Sequence, residues 1–320
     1  MIGKFVKLDT DVRGTAKMAD FVNEKILPKT LHLKDCNLIL APGKEQEVKS
    51  FTKNIFWTHV PSYMLPFEYE KYFILPELLD KIDMFLVQSE FHRNNLSDYY
   101  GIDKDRFYIV NNSFSPIEYK EKGGDKITFI YISQSDRGLN ALLQAFGKVK
   151  NKNIELIAHT CPCEECICPE IISYNAKVIL DQDPRIKMMG FSTKEQYIET
   201  LQKAHVYVYP CTFQETACIS VMEAMSAGVM VITTDLGALP ETTNGFAKII
   251  KDCPITDEDI SKREKEIVKI FTKEIKKSIK IIKNKKFDPK EQIEYINNRF
   301  TEKNAEDQWL QLDKIIGEMQ

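Results

Sequence analysis

The chain has 320 residues, enough for two α/β domains of ordinary size. Charged residues make up 28% of it yet nearly balance at a net −3, so bulk electrostatics offers nothing to a nucleic acid. No apolar run reaches membrane-spanning length, and residues 1–7 lack the apolar core and cleavage site of a secretory leader, which predicts a cytoplasmic protein with eight reduced cysteines.

In chain order, strands are predicted at Lys4–Leu8, Asn37–Ala41, Asn54–Thr58, Met84–Gln88 and Arg106–Val110. A helix covers Thr15–Ile26, and another, capped by Ser89, runs toward Tyr100. Asn111-Asn-Ser-Phe-Ser-Pro116 breaks the pattern, and polar Glu118–Lys126, with Gly123-Gly124, reads as a linker. The pattern then restarts with strands at Ile127–Ile132, Ile154–His159, Ile186–Met189, His205–Tyr209 and Val229–Thr234. Helices lie between them over Leu139–Val149 and from a capping box, Ser192-Thr-Lys-Glu195, through Ala204. Such alternation predicts parallel sheets covered on both faces. From Asp257 the composition shifts to Lys, Glu and Ile, and Ile267, Phe271, Ile275, Ile279 and Ile282 form an apolar stripe at near-helical spacing. The lysines between them are either the wet face of that helix or a basic surface that touches anionic membrane. A last helix runs from Asn304 through Ile316.

Three segments carry chemistry. Glu215 and Glu223 follow the strand that ends at Pro210, and in open parallel sheets ligands lie beyond the carboxyl ends of the strands, which puts Glu215 on the binding edge. Glu223 is expected about two turns into the next helix, with the amides of Thr216, Ala217 and Cys218 opening that helix toward an anion. On spacing alone, two solvated surface glutamates fit as well. Tyr131-Ile-Ser-Gln-Ser-Asp-Arg-Gly-Leu139 sets Arg137 on the same edge, where a guanidinium can hold two phosphate oxygens; the plainer reading is a surface arginine beside a turn glycine. Cys161, Cys163, Cys166 and Cys168 have the ligand type for zinc at a spacing tighter than structural zinc sites use, and a redox pair or an unliganded loop are the alternatives.

Tyr209–Gly228 followed by Val229–Glu241 resembles the donor-binding signature of glycosyltransferase family 4, a retaining GT-B family. The resemblance implies an α/β GT-B fold, with two Rossmann-like domains whose parallel sheets face a central cleft. Residues 1–117 would form a reduced acceptor-side domain, 118–298 the nucleotide-sugar-binding domain, and 299–320 a helix crossing back to the first. It implies retaining transfer from a UDP- or GDP-linked sugar to a glycan, lipid or glycoprotein acceptor, with no cofactor required. The alternative is a catalytically weak or inactive sugar-nucleotide-binding module, and a phosphorylase or epimerase would share the fold.

Residue by residue, the resemblance gives Glu223 the ribose hydroxyls and Glu215 the transferred sugar. Arg137 with Ser133 and Gln134 falls to the phosphates, as do the amides of Thr216, Ala217 and Cys218. Phe191 in Gly190-Phe-Ser192 falls to the nucleobase, and His59, in Asn54-Ile-Phe-Trp-Thr-His59, to the reacting face of the sugar. His92 or Arg93 would border the cleft, and Asn111-Asn112 stands where the family has an Asn-Gly turn. Val60 replaces a family aspartate, and Gly14 stands alone where the family has Gly-Gly, which implies an altered acceptor site.

Overall fold

The structure is a computed structural model that describes residues 18–41, 48–62, 76–160, 174–190, 192–251 and 260–319. The expected strand Lys4–Leu8, Gly14, Phe191 and the four clustered cysteines lie outside these. The chain separates into two units, Met1–Ser115 with Glu215–Ala217 and Phe300–Gln320, and Pro116–Gln214 with Cys218–Arg299.

In the first unit, β1 (Asn37–Ala41), β2 (Asn54–Thr58), β3 (Met84–Val87) and β4 (Phe107–Ile109) pair in that order, all parallel. Their nearly unbroken apolar runs are what strands buried on both faces require. Alternate residues feed opposite cores: Leu38, Leu40, Trp57 and Leu86 pack with Trp309, Leu312 and Ile316 of the C-terminal helix Glu302–Glu318, whereas Ile39, Phe56, Phe85 and Val87 pack with Leu96. Leu96 lies on α1 (Glu90–Tyr100), which Ser89 caps by accepting from the His92 N–H, and Gly101 ends it in the left-handed region at φ 67°. The helix expected over Thr15–Ile26 changes type. Pro28 has no N–H to return to Glu24, and the Leu27 N–H reaches Val22 O instead, which widens Val22–Ile26 into a π-helix.

In the second unit, β5 (Ile127–Ile132), β6 (Ile154–His159), β7 (Ile186–Met188), β8 (Val206–Tyr209), β9 (Met230–Thr234) and β10 (Lys248–Ile250) form a parallel sheet of order β10-β9-β8-β5-β6-β7. The helices are α2 (Leu139–Gly147), α3 (Tyr174–Gln182), α4 (Lys194–Lys203), α5 (Ile219–Ser226), α6 (Leu239–Thr243), α7 (Ile260–Lys283) and α8 (Lys290–Arg299). Chain direction across the sheet reverses at β5. The connections leaving β5 and β8 therefore diverge and open a crevice at their carboxyl ends, the topological switch point.

Two boundaries differ from expectation. The capping box is Thr193 with Gln196, one residue later than Ser192 with Glu195, because Ser192 Oγ is engaged by His159 Nδ1 at 2.7 Å. Helix α5 begins at Ile219 with Cys218 as its N-cap, so Thr216 and Ala217 precede it and Glu223 is its fifth residue, just over one turn in. The expected linker is fastened to the second unit. Lys122 Nζ donates to the carbonyls of Leu201, Gln202 and Ala227 at 3.2, 2.9 and 2.7 Å, which end α4 and α5. The predicted stripe of α7 is buried at Ile267, Phe271, Ile275 and Ile279 and half-buried at Ile282. It packs on α2, where Thr272 Oγ1 also donates to Ala145 O.

Candidate functional site

The β5–α2 loop is held in place from beneath. Tyr131 Oη donates to Gln134 O at 2.6 Å, the Arg137 N–H closes a turn onto the same carbonyl at 3.1 Å, and Ser133 Oγ meets Tyr209 Oη at 3.2 Å. Tyr207 and Tyr209 stack at 5.7 Å, with Tyr131 edge-on to Tyr209. The loop touches the β8–α5 loop at Gly138, whose φ is 97° and where a Cβ would stand 1.9 Å from Pro210 O; only glycine fits both constraints. Beside that contact the Arg137 guanidinium lies 4.0 Å over the Phe213 ring. A guanidinium stacked by its face directs its N–H fork outward in its own plane, the geometry that grips a planar anion edge or a phosphate. The sequence pattern does not single out Phe213, although an aromatic four residues past the strand end is a visible signal.

Glu223 is 3% exposed. Tyr197 Oη donates to both of its carboxylate oxygens at 3.1 Å, and Lys194 Nζ stands 3.6 Å away. Lys194 and Tyr197 are three apart on α4 and so share a face, which lets one helix compensate one buried charge. Burial, then the adjoining carboxylate, pushes the Tyr197 phenol well above its ordinary range, so it remains a donor. Neither partner was legible beforehand. His159 bridges Ser192 and Thr200, the latter at 2.9 Å, and burial lowers its pKa.

Glu215 and Thr216 are buried in the first unit, where Thr216 Oγ1 donates to His59 O at 3.3 Å and Asn112 Nδ2 reaches Ala217 O at 3.5 Å. His59 follows β2 directly, its ring 4.6 Å from that of Trp57. Both ring nitrogens are buried with no well-formed hydrogen bond among the described residues, an expensive arrangement that structures retain where a ligand group completes it. Burial, reinforced by His92 and opposed by the Asn112 amide, brings its pKa down to about 3. His92, raised above as a cleft residue, is instead a core histidine: its nitrogens meet Gln88 Oε1 at 2.9 Å and Val60 O at 3.0 Å, and burial lowers it to about 4. Arg93 pairs with Glu90.

Near neutral pH and down to about pH 5 both histidines are neutral in the folded chain, whereas in the unfolded chain they protonate near pH 6.5. Unfolding therefore takes up protons, and stability falls as the pH drops below about 6.5 toward 4. In proton NMR neither imidazole should titrate between about pH 5 and 8, and a midpoint near 6.5 for His59 would contradict its burial.

The remaining candidates disperse. Asn111 and Asn112 are not left-handed; among the described non-glycine residues only Asn244 and Lys285 have positive φ. Asn111 instead exchanges hydrogen bonds with Gln308. Among the described residues no three His, Cys, Asp or Glu side chains are grouped to hold a metal. No helix among them is long and apolar enough to cross a membrane.

Residues 126–270 match the family described as Glycosyl transferases group 1. A glycosyltransferase from Rickettsia africae ESF-5 aligns over 100% of both chains at 12% identity and a TM-score of 0.70. Sucrose-phosphate synthase from Thermosynechococcus elongatus aligns over 83% of this chain and 68% of its own, at 14% and 0.65. The pneumococcal O-GlcNAc transferase in complex with UDP and GlcNAc aligns over 84% of this chain and 53% of its own, at 15% and 0.62. No curated protein matches the chain. The second unit thus carries a glycosyltransferase group 1 domain, and the fold is of the α/β GT-B type.

Proposed function

We propose that this chain is a retaining glycosyltransferase of family 4 that moves one sugar from a UDP- or GDP-linked donor to a glycan, lipid or glycoprotein acceptor. The observation that carries the reading is Arg137 stacked on Phe213 at the switch point of the sheet, with the buried Glu223 carboxylate on the helix that leaves the same crevice. A cation and a carboxylate so placed suit the two ends of a nucleoside diphosphate, one taking phosphate oxygens and the other a pair of ribose hydroxyls.

As the bond from the anomeric carbon to the phosphate oxygen breaks, negative charge collects on the diphosphate, and Arg137 stabilises it there. The same oxygen takes the proton of the acceptor hydroxyl, whose oxygen bonds the anomeric carbon on the face just vacated, so configuration is retained. Glu215 and neutral His59 orient the sugar, and Ser133, Gln134, Thr216, Ala217 and Cys218 complete the phosphate cradle. The charge on the leaving group is met by the protein, without a required metal.

Arg137→Ala should weaken nucleoside diphosphate by roughly 10- to 150-fold, the equivalent of one charge-assisted hydrogen bond of about 1.5–3 kcal/mol, and leave the nucleoside unchanged in calorimetric titration. Equal weakening of both would mean that Arg137 supports folding rather than phosphate. The proton coupling at the anomeric centre of the product should match that of the donor. An inverted product would end the retaining assignment, and saturable donor binding with no transfer to any acceptor or to water would favour a binding module.

A further inference from the structure

The charge of this chain is unevenly spread. The whole carries −3, yet α7 has nine cationic and three acidic side chains, a net of +6 on 24 residues. Lys265, Lys269, Lys273, Lys276, Lys280 and Lys283 recur at three- and four-residue steps and therefore line one face, and all six are exposed. The stripe is about 27 Å long at the rise of an α-helix. From Lys269 to Lys283 the one acidic residue is Glu274, which is buried and paired with Lys277 at 2.6 Å. Lys148, at the end of α2, joins Lys269, Lys273, Lys276, Lys277 and Lys280 around an open groove of about 500 Å³. The opposite face of α7 is used up by the core, through Ile267, Phe271, Ile275 and Ile279, so the helix is rigidly mounted with its cations outward.

We infer that this lysine face docks the protein on an anionic phospholipid surface. Six ammonium groups in a row would repel one another at a cost unless a polyanion neutralises them. Their chemistry narrows the polyanion: lysines are hydrated point charges suited to a diffuse layer of headgroups, and the face has no arginine fork for bidentate phosphate recognition between Lys265 and Lys283. The aromatic residue of this stretch, Phe271, is fully buried, so no ring is offered to stack nucleic acid bases. Ile270 and Ile281, both half-buried, border the stripe and give it the apolar margin of an interfacial helix.

The test is co-sedimentation of the full chain with vesicles of phosphatidylcholine alone or mixed with phosphatidylglycerol. Binding is expected only to the mixed vesicles and should weaken steeply with added salt. The variant Lys269→Gln, Lys273→Gln, Lys276→Gln, Lys280→Gln should lose about 100-fold or more in affinity for them. A control with Lys25, Lys34, Lys303 and Lys314 each changed to Gln makes the same change of charge on exposed residues of the first unit and should bind as the unmodified chain does. Unaltered nucleoside diphosphate affinity in both variants shows that they fold. Equal binding to uncharged vesicles, equal losses in the two variants, or saturable binding of inorganic tripolyphosphate without vesicle binding would each overturn the assignment.

Discussion

Asp313→Ala is expected to lower the stability of the first unit by about 3–5 kcal/mol. Asp313 sits on the C-terminal helix next to the core residue Leu312 and is itself buried. Its Oδ2 accepts from the Leu31 N–H at 2.9 Å, and its Oδ1 accepts from those of His32 and Leu33 at 2.8 and 2.7 Å. Alanine removes all three bonds and leaves three amides of a tight segment without the acceptor that orders it. Burial pushes the carboxyl pKa up, but the three N–H groups outweigh it and hold it below the usual carboxylate range. Its contribution is therefore complete above the unfolded value, near 3.9, and is lost as the pH falls through the folded one. The chain has two tryptophans, Trp57 and Trp309, packed edge to face at 5.1 Å in this unit. Their fluorescence in urea follows the first unit alone. The variant's midpoint should drop at neutral pH, and the gap should close in acid; superimposable urea curves at neutral pH would show that the three bonds contribute nothing net. Asp313→Asn, with one carbonyl oxygen left to accept, should fall between.

Elements whose signal is local were legible. Ile127–Ile132 and Asn54–Thr58 read as strands because a parallel strand covered on both faces needs an unbroken apolar run, and Ser89 reads as a helix cap because its hydroxyl can accept an early N–H, here that of His92. The stripe of α7 was visible at its own period and is the buried face of a helix that packs on α2. Failures came where a distant residue chose between equal local options. Ser192 and Thr193 are both competent caps, and His159, 33 residues away, decides by claiming Ser192. Thr216 could have capped α5, but its hydroxyl goes to His59 O across 157 residues, and the helix waits for Ile219. Site residues divide the same way. Arg137 and Glu223 are placed by a strand, a loop and a helix start, whereas the neighbours that hold them, Phe213 and Tyr197, lie 76 and 26 positions off, and nothing local pairs them with those partners.

Glu215→Ala should reduce turnover by about 100-fold or more while leaving nucleoside diphosphate affinity within about 2-fold, and Glu223→Ala should show the reverse pattern. The reasoning rests on which part of the donor each carboxylate meets in the proposed reading. Glu215 would contact only the sugar, so the diphosphate without its sugar has nothing to lose. Its contact gains strength as positive charge develops at the anomeric carbon, which places the loss in kcat. Glu223 would hold ribose hydroxyls that do not react, and such contacts act equally on ground and transition states, which places its loss in donor KM. Tyr197 and Lys194 supply a check on the second half. Because Tyr197 donates to both oxygens of Glu223 at 3.1 Å, Tyr197→Phe keeps the carboxylate but frees it to turn, and donor KM should rise by less than in Glu223→Ala. Initial rates at saturating acceptor, together with calorimetric titration of the nucleoside diphosphate, separate the two parameters. Full activity in Glu215→Ala would remove it from the reacting centre. A fall in kcat alone in Glu223→Ala would move that residue from the ribose to the chemistry, and the roles of the two carboxylates would have to be exchanged.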